Sequence, residues 1–508
     1  MRILGISYGV PVASAVLIEE GRVLRAAAQE RLTGLKRDPS FPYQAIEFVK
    51  GGRELQVYSL VGEGSLNFPL SQDIHRYPLG LSMAASSFFA SPFDKAGILV
   101  VDFMTTEIYR GEGTEIQRVE GWDFPNTLGL FCSAITQFLG FSPGEGDYKV
   151  MGLAGYGKAR FVEELRRALE IYPGGFSLNP EFFGVEGNRF FKSGFVSLLK
   201  TPPAPSLQRP LSPYADIAAS AQAVFEEALI SLAKKAIETS GSKNLVLAGS
   251  QALNGLANYR LAKDLGVNLY IQPEAGEGGA SLGSGYLAWV ERTGQRSLPL
   301  LNPFLGKDYR EGLQEALEKS GLRWKELSRQ AIIERTAEAL SVGKVVGWFR
   351  GRFEWGPRAL GARSILADPR KPEMKDIVNL RIKRREPFRP FAPTVLMERA
   401  GEFFYLPEGG EFPLMFMQMV VPVVSSEIPA VTHEDRTARP QSLSKEFNPD
   451  FYDLIKAFGE ATGVPVVLNT SFNLKGKPIV ADPQQAISTF LETDLDALVL
   501  ENFWVENG

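Results

Sequence analysis

The densest group of residues able to do chemistry lies in the last third of the chain. Arg350, Arg352, Arg358, Arg363, Arg370, Lys383, Arg384, Arg385 and Arg389 recur there beside Gly351, Gly356, Pro357, Gly361 and Pro390. A solvated basic face would mix its cations with carboxylates and would lack fixed turns. Guanidinium forks set on Gly/Pro turns are the pattern expected where phosphate oxygens are gripped in pairs. Further on, Asn469-Thr470-Ser471-Phe472-Asn473 directly follows the apolar run Pro465-Val466-Val467-Leu468. Amide and hydroxyl donors therefore sit at the C-terminal end of a buried strand, where α/β domains place their ligands. Both features point to a phosphate or nucleotide.

Other chemistries have few residues to draw on. The chain has two histidines, His75 and His433, so a Ser–His–Asp triad or a His-rich metal site would have to use one of them. Both lie in polar, loop-like surroundings that suit a structural or surface role. The single cysteine, Cys132, excludes an internal disulfide. The segment 152–158 (GLAGYGK) fits G-x-x-x-x-G-K, but Ala159 stands where a phosphate-binding loop needs Ser or Thr for magnesium, and no clear strand precedes it. It is not a Walker A loop.

The elements that must position these groups read as α/β throughout. Residues 2–8, 13–19 and 23–28 read as three strands, and a similar hairpin-led unit recurs from Gly97 through Val119. Two such halves, each feeding helices, suggest a duplicated actin- or sugar-kinase-like domain with a nucleotide-sized cleft between the halves. A long amphipathic helix over 213–241 precedes two buried strands, 244–248 and 269–272. Each strand runs into a turn of small residues: Gly249 to Asn254, and Pro273 to Ala280, which contains Gly276 and Gly279. A strand, a glycine turn and a helix start in succession direct N–H groups at an anion; the alternative is that the glycines only satisfy tight turns. The helix 329–342 and the strands 345–349, 416–424 and 465–468 make a second α/β domain. The expected division is therefore 1–305, a linker over 306–325, and 326–508.

Composition supports this picture. A length of 508 residues fits two or three folding units at roughly 150 residues each. The balance of 55 basic and 59 acidic side chains argues against a nucleic-acid binder driven by bulk charge. With 44% apolar and 22% charged residues, wholesale disorder is excluded. No apolar run approaches the length a bilayer span needs, and the start MRILGISYGV carries no cleavable hydrophobic segment, so a cytoplasmic protein without membrane contact is expected.

Five segments carry a resemblance to a known family: 144–157 (GEGDYKVMGLAGYG), 347–370 (GWFRGRFEWGPRALGARSILADPR), 383–393 (KRREPFRPFAP), 432–441 (THEDRTARPQ) and 469–480 (NTSFNLKGKPIV). Together they resemble the O-carbamoyltransferases of the nodulation protein U, cephalosporin and aminoglycoside-antibiotic type over nearly the whole chain. The resemblance implies a YrdC-like C-terminal domain that makes carbamoyl-adenylate from carbamoyl phosphate and ATP. It also implies an N-terminal sugar-kinase-like domain that passes the carbamoyl group to a small-molecule acceptor, in natural-product biosynthesis. Matched by motif, Arg358, Lys383, Arg385, Arg389, Arg439, Asn469 and Ser471 would grip the anhydride and triphosphate. Lys36, Gly249, Asn254 and the loop from Gly276 to Gly279 would face the intermediate, and loops such as 176–210 would build the acceptor pocket.

The transfer half departs from the family pattern. Pro11 and Val12 stand where the family has a His-Asp pair, and Leu79 and Met83 stand at its two histidine iron ligands. Asp102 keeps the third ligand place, followed by Phe103 rather than Gly, and Glu277 takes the fourth. Two carboxylates without imidazoles suit Mg2+ shared with a phosphate better than Fe2+, and His75 lies four residues before the first lost ligand. Three readings follow: a carbamoyltransferase to a hydroxyl or an amine; an adenylate-forming enzyme whose partner biosynthetic enzyme, or homodimer, completes transfer; or a scaffold whose degenerate transfer half binds a metabolite, peptide or partner enzyme.

Overall fold

The computed structural model describes residues 1–61, 73–205 and 211–506. The strand Arg2–Ser7 pairs antiparallel with Ser14–Glu19, which pairs with Arg22–Ala28, while its other edge runs parallel to Val57–Val61 and then Ile74–Tyr77. The second unit repeats this order. Lys95–Val101 carries the antiparallel strands Thr105–Glu112 and Glu115–Asp123 on one side and the parallel strands Asn244–Ala248 and Asn268–Ile271 on the other. Two five-stranded sheets with one strand order form the duplicated arrangement expected from the sequence. The central strands are buried on both faces, which fits their unbroken apolar runs.

Small residues lock the two sheets together. Helix Ala280–Thr293 (ASLGSGYLAWVERT) packs on Arg2–Ser7 and on helix Leu79–Phe88. A Cβ at Gly283 would sit 1.7 Å from the Ser82 carbonyl oxygen, so only glycine permits this approach. The 27-residue helix Tyr214–Ser240 lies across the second sheet and ends on the left-handed Gly241.

The rest of the chain forms an eight-stranded mixed sheet in the order Arg323–Glu326, Phe503–Glu506, Ala497–Leu500, Val346–Phe349, Arg363–Ala367, Val466–Ser471, Ala392–Leu396, Gln441–Leu443. Arg323–Glu326 thus belongs to this sheet rather than to a connector, because its edge pairs with the last strand of the chain. Helix Leu313–Ser320 also packs there, against helix Pro483–Leu491. The strand expected over 416–424 shrinks to Val421–Pro422. Met417 takes a left-handed φ of 56°, and Pro422 has no N–H for a ladder, so the alternating pattern cannot extend. No helix among the described residues is long and apolar enough to cross a membrane.

One buried ion pair ties the eight-stranded sheet's leading loop to the N-terminal half. Glu354 Oε1 accepts the N–H groups of Leu360 (3.0 Å), Ala362 (2.8 Å) and Arg363 (3.0 Å). Its Oε2 lies 3.8 Å from Arg31 Nη2, with both side chains buried. Arg31 Nη1 also donates to the Glu354 carbonyl (3.2 Å) and its guanidinium lies over the Phe353 ring. Removing one member of such a pair strands a buried charge. Glu354→Ala is expected to cost about 3–5 kcal/mol of stability in denaturant melts of the whole chain; a loss below ~1 kcal/mol would show that the pair holds nothing.

Candidate functional site

Residues of both halves line a cavity of about 570 Å³, a size that suits a nucleotide-scale ligand. The 469–473 segment lies at the end of strand Val466–Ser471, and Asn469 and Ser471 line the cavity. Arg358, Arg385, Arg389 and Arg439 enter from the C-terminal half; Lys36, Asn254, Gly276 and Glu277 enter from the other.

The cationic group read from the sequence divides in two. Arg350 is spent on Asp450 (2.7 Å), and Arg370 is spent on Asp368 (2.7 Å). Arg352 donates to the carbonyls of Gly306, Leu24 and Leu305, Arg363 to those of Arg350, Ala362 and Ala481, and Arg384 to that of Glu492. These five arginines hold the fold. The other three, with Arg439, form the site.

Two of the four remaining guanidinium groups, Arg385 and Arg389, are held largely by aromatic rings and a neutral amide. Arg385 donates Nε to Asn379 Oδ1 (2.7 Å) and lies over Phe391 at 4.6 Å. Arg389 lies over Tyr148 at 4.8 Å, and its one carboxylate partner is Glu386 at 3.6 Å. Burial and the neighbouring Arg389 push Arg385 down to about 9. Burial pushes Arg358 down to about 10. Arg439 falls well below its ordinary range through burial and the charges of Arg358, Arg385 and Arg389. Arg358 Nε and Arg439 Nε are buried without a hydrogen-bond acceptor. Like charges crowded in this way create a demand for anionic oxygen.

Lys383 does not line the cavity. It lies beneath the 469–473 segment, where Nζ donates to Ser471 O (2.7 Å), Ser471 Oγ (3.3 Å), Asn473 O (2.9 Å) and Asn473 Oδ1 (2.6 Å). Burial, Arg385, Arg389 and Lys36 push its ammonium well below the ordinary lysine range.

On the transfer side, Asn254 caps helix Gly255–Leu265 by accepting Ala257 N–H, and it exchanges amide bonds with Gln222 at 3.0 Å. Gly249 and Gly279 lie behind the cavity wall. Gly249 takes φ +91° and donates its N–H to Ala275 O (2.7 Å), while a Cβ on Gly279 would lie 1.9 Å from Glu274 O. Gly276 itself lines the cavity. Lys36 Nζ sits 3.5 Å from Glu145.

The residues present do not fit resident iron. Asp102 Oδ1 accepts Phe103 N–H (2.8 Å) and Oδ2 accepts Ser250 N–H (2.7 Å). Leu79 and Met83 lie on a helix packed into the core. Among the described residues no three His, Cys, Asp or Glu side chains gather as a metal-holding group. His75 is held by Asp73 (3.0 Å) and Glu291 (3.3 Å) on the edge strand of the first sheet, outside the cavity. Burial raises Asp102, and burial with the nearby Asp102 raises Glu277 to about 8. Metal analysis of purified protein is expected to return well under one iron per chain; a full equivalent would refute this ligand assignment.

Tyr148, Glu274, Lys375 and His433 are among the cavity residues that the sequence did not single out as site residues. Tyr148 and His433 stood within the family-like segments 144–157 and 432–441, so a signal existed. His433 is no surface residue: burial, with Arg439 and Lys375, pushes it down to about 4, and Nδ1 bonds Thr437 Oγ1 at 3.1 Å. Gly152, Gly155 and Tyr156 also line the cavity, but residues 147–154 are helical, unlike a phosphate-binding loop. Residues 206–210 of the expected acceptor segment 176–210 lie outside the described residues, whereas Phe190 from that segment lines the cavity.

The cavity is thus shared by a duplicated α/β unit and a second α/β sheet, and guanidinium groups suited to anionic oxygen wall it. Family models described as "Carbamoyltransferase N-terminus" and "Carbamoyltransferase C-terminus" match residues 55–286 and 337–507. The chain is 33% identical to an uncharacterized protein of Synechocystis sp., over 99% of this chain and 96% of that one. It is 33% identical to nodulation protein NolNO of Sinorhizobium fredii, over 97% and 78% respectively. It is 31% identical to the 3'-hydroxymethylcephem-O-carbamoyltransferase of Amycolatopsis lactamdurans, over 47% and 44%. The chain belongs to the carbamoyltransferase family and is a carbamoyltransferase enzyme.

Glu274 offers a pH test of the cavity in the unliganded protein. Burial first, then Glu30 and Glu277, raise its carboxyl to about 8, against Arg31 and Arg358. A carboxyl raised on folding favours the folded state fully below its ordinary range and loses that contribution as pH climbs toward 8. Glu274→Gln is therefore expected to gain stability relative to the natural protein between about pH 5 and 8, by no more than ~4 kcal/mol, and to level off above. Thermal midpoints across that range check it, and a pH-independent difference would contradict the burial assigned to this carboxyl.

Proposed function

We propose that residues 326–508, with the helix and strand over 313–326 that pack on their sheet, act as a YrdC-like carbamoyl-adenylate-forming domain and residues 1–305 as the transfer domain. Carbamoyl phosphate loses phosphate to water and yields carbamate. The carbamate oxygen then attacks the α-phosphorus of ATP, pyrophosphate leaves, and carbamoyl-adenylate forms. A small-molecule hydroxyl or amine next attacks the carbamoyl carbon, loses its proton, and displaces AMP. Carbamate is a poor electrophile until it carries such a leaving group. The steps that give it one move negative charge among phosphoryl oxygens, which oriented cations stabilise.

One observation carries this reading: Arg358, Arg385, Arg389 and Arg439 line one cavity almost without matching carboxylates. Ser471 adds a hydroxyl on a loop fixed from below by Lys383. Asn254, Gly276 and Lys36 line the same cavity from the transfer half, so an adenylate would meet its acceptor without crossing bulk water. The likeness to a cephem O-carbamoyltransferase supports an acceptor from natural-product biosynthesis.

Pyrophosphate release is expected only when ATP and carbamoyl phosphate are supplied together. Arg385→Ala is expected to lower that release by about 100-fold or more while leaving the thermal midpoint within a few degrees. Release from ATP alone, or no release with both substrates, would refute adenylate formation. Pyrophosphate release that never yields a carbamoylated alcohol or amine across an acceptor panel would favour the scaffold reading of the N-terminal half.

A further inference from the structure

A second cavity, of about 940 Å³, shares no lining residue with the first. It lies at the C-terminal ends of the adjacent parallel strands Val346–Phe349 and Ala497–Leu500, an edge at which α/β sheets place ligands. Segment 298–305 supplies its apolar wall, and that segment is pinned by its own backbone. Leu298 N–H donates to Gly21 O (2.8 Å) and Leu300 N–H to Ala90 O (2.8 Å), while Arg352 donates to the carbonyls of Leu305 and Gly306 (both 2.8 Å). Leu298 and Leu301 nevertheless leave 48% and 43% of their side chains uncovered, and Phe304 and Phe447, with ring centroids 5.4 Å apart, line the same cavity. Large apolar side chains left open in a concave, fixed wall favour an apolar occupant.

Charge around this cavity does not balance. The three carboxylates that line it are all engaged: Asp450 pairs with Arg350 (2.7 Å) and Arg329, Asp308 with Arg310 (2.9 Å), and Glu501 accepts Gly351 N–H. Two guanidinium groups are left over. Arg352 donates Nε and Nη2 to carbonyls alone, and nothing among the described residues accepts from its Nη1. Burial and the neighbouring Arg25 lower its basicity, the mark of a cation short of a counterion. The exposed Arg22 side chain has neither a hydrogen bond nor a carboxylate partner among the described residues. Two uncompensated forks beside an open apolar wall complement a ligand with anionic oxygen at one end and hydrocarbon at the other.

We infer that this cavity is a second ligand site, for a small amphipathic anion whose anionic oxygen head lies on Arg22 and Arg352 and whose hydrocarbon body covers Leu298, Leu301 and Phe304. The inference stands apart from the proposed adenylate chemistry. It places the occupant against the loop that serves the first cavity, because Arg350, Gly351 and Arg352 line the second cavity while Gly356, Pro357 and Arg358 line the first.

The test titrates the full-length protein by calorimetry, below any micelle concentration, with decanoate, 1-decanol and acetate. Decanoate carries both parts, decanol lacks the charge and acetate lacks the body. Decanoate is expected to bind about 10-fold or more tightly than either. Arg22→Ala and Leu301→Asp alter exposed side chains, so each is expected to fold with a thermal midpoint within a few degrees of the natural protein. Each is also expected to weaken decanoate about 10-fold; should one fail to fold, the other decides. Decanol or acetate binding as tightly as decanoate overturns the inference, and so does the absence of decanoate binding. Decanoate affinity unchanged in both variants overturns it too, since the probe then sits elsewhere.

Discussion

Repulsion among Arg358, Arg385, Arg389 and Arg439 is the constraint around which the site is arranged. Each guanidinium depresses the basicity of a neighbour, and burial removes the water that would screen them. The fold answers with partners that do not cancel the charge: the Asn379 amide and the Tyr148 and Phe391 rings. Glu386 is the carboxylate within ion-pair distance of Arg389. Burial works against its ionisation, yet its own amide, Lys149 and Lys475 hold it down to about 2, so its charge is already shared among other cations. Positive potential therefore remains directed at whatever enters the cavity.

The same constraint explains why the site lies between two folding units. The cations come from the loops of the eight-stranded sheet, whereas Glu274, Glu277 and Asp102 belong to the turns that follow strands of the duplicated half. Neither set faces solvent fully, and neutral amide contacts join the halves beside the Arg31–Glu354 and Lys149–Glu386 pairs. Gln418 Nε2 donates to Gln272 O (3.0 Å), and Asn258 Nδ2 donates to Gln418 O (2.8 Å). The cavity is thus positive on one side and rich in carboxyl groups on the other, a polarity that suits the proposed reaction.

Much of this can be read from residues alone, for physical reasons. Buried central strands announce themselves as apolar runs, and the long helix announces itself by its period, so most of the duplicated half follows from pattern, as do two strands of the eight-stranded sheet, Val346–Phe349 and Val466–Ser471. Arg350 and Arg363 could not be told apart from Arg358 and Arg385 in this way. All four stand beside Gly/Pro turns, and only tertiary packing shows that Asp450 and the Ala481 carbonyl had claimed the first two. Lys383 misleads for the same reason, since its distance from the cavity depends on the loop folded over it. His433 was obscured by polar neighbours that close around it only when Thr437 and Phe391 are brought together. The 416–424 segment alternates like a strand, but Pro422 and the left-handed Met417 stop it.

The contact between Arg31 and Glu354 bears on how the enzyme can be divided. Arg31 precedes the boundary between the halves by hundreds of residues, yet its guanidinium is buried against a loop of the other half. Expressed separately, one fragment would present a naked cation and the other an acceptor loop without its counterion. Each surface would then be an artefact of the cut. Fragment solubility would report on that exposed pair, so inactivity of a truncated half says little about which half performs which step.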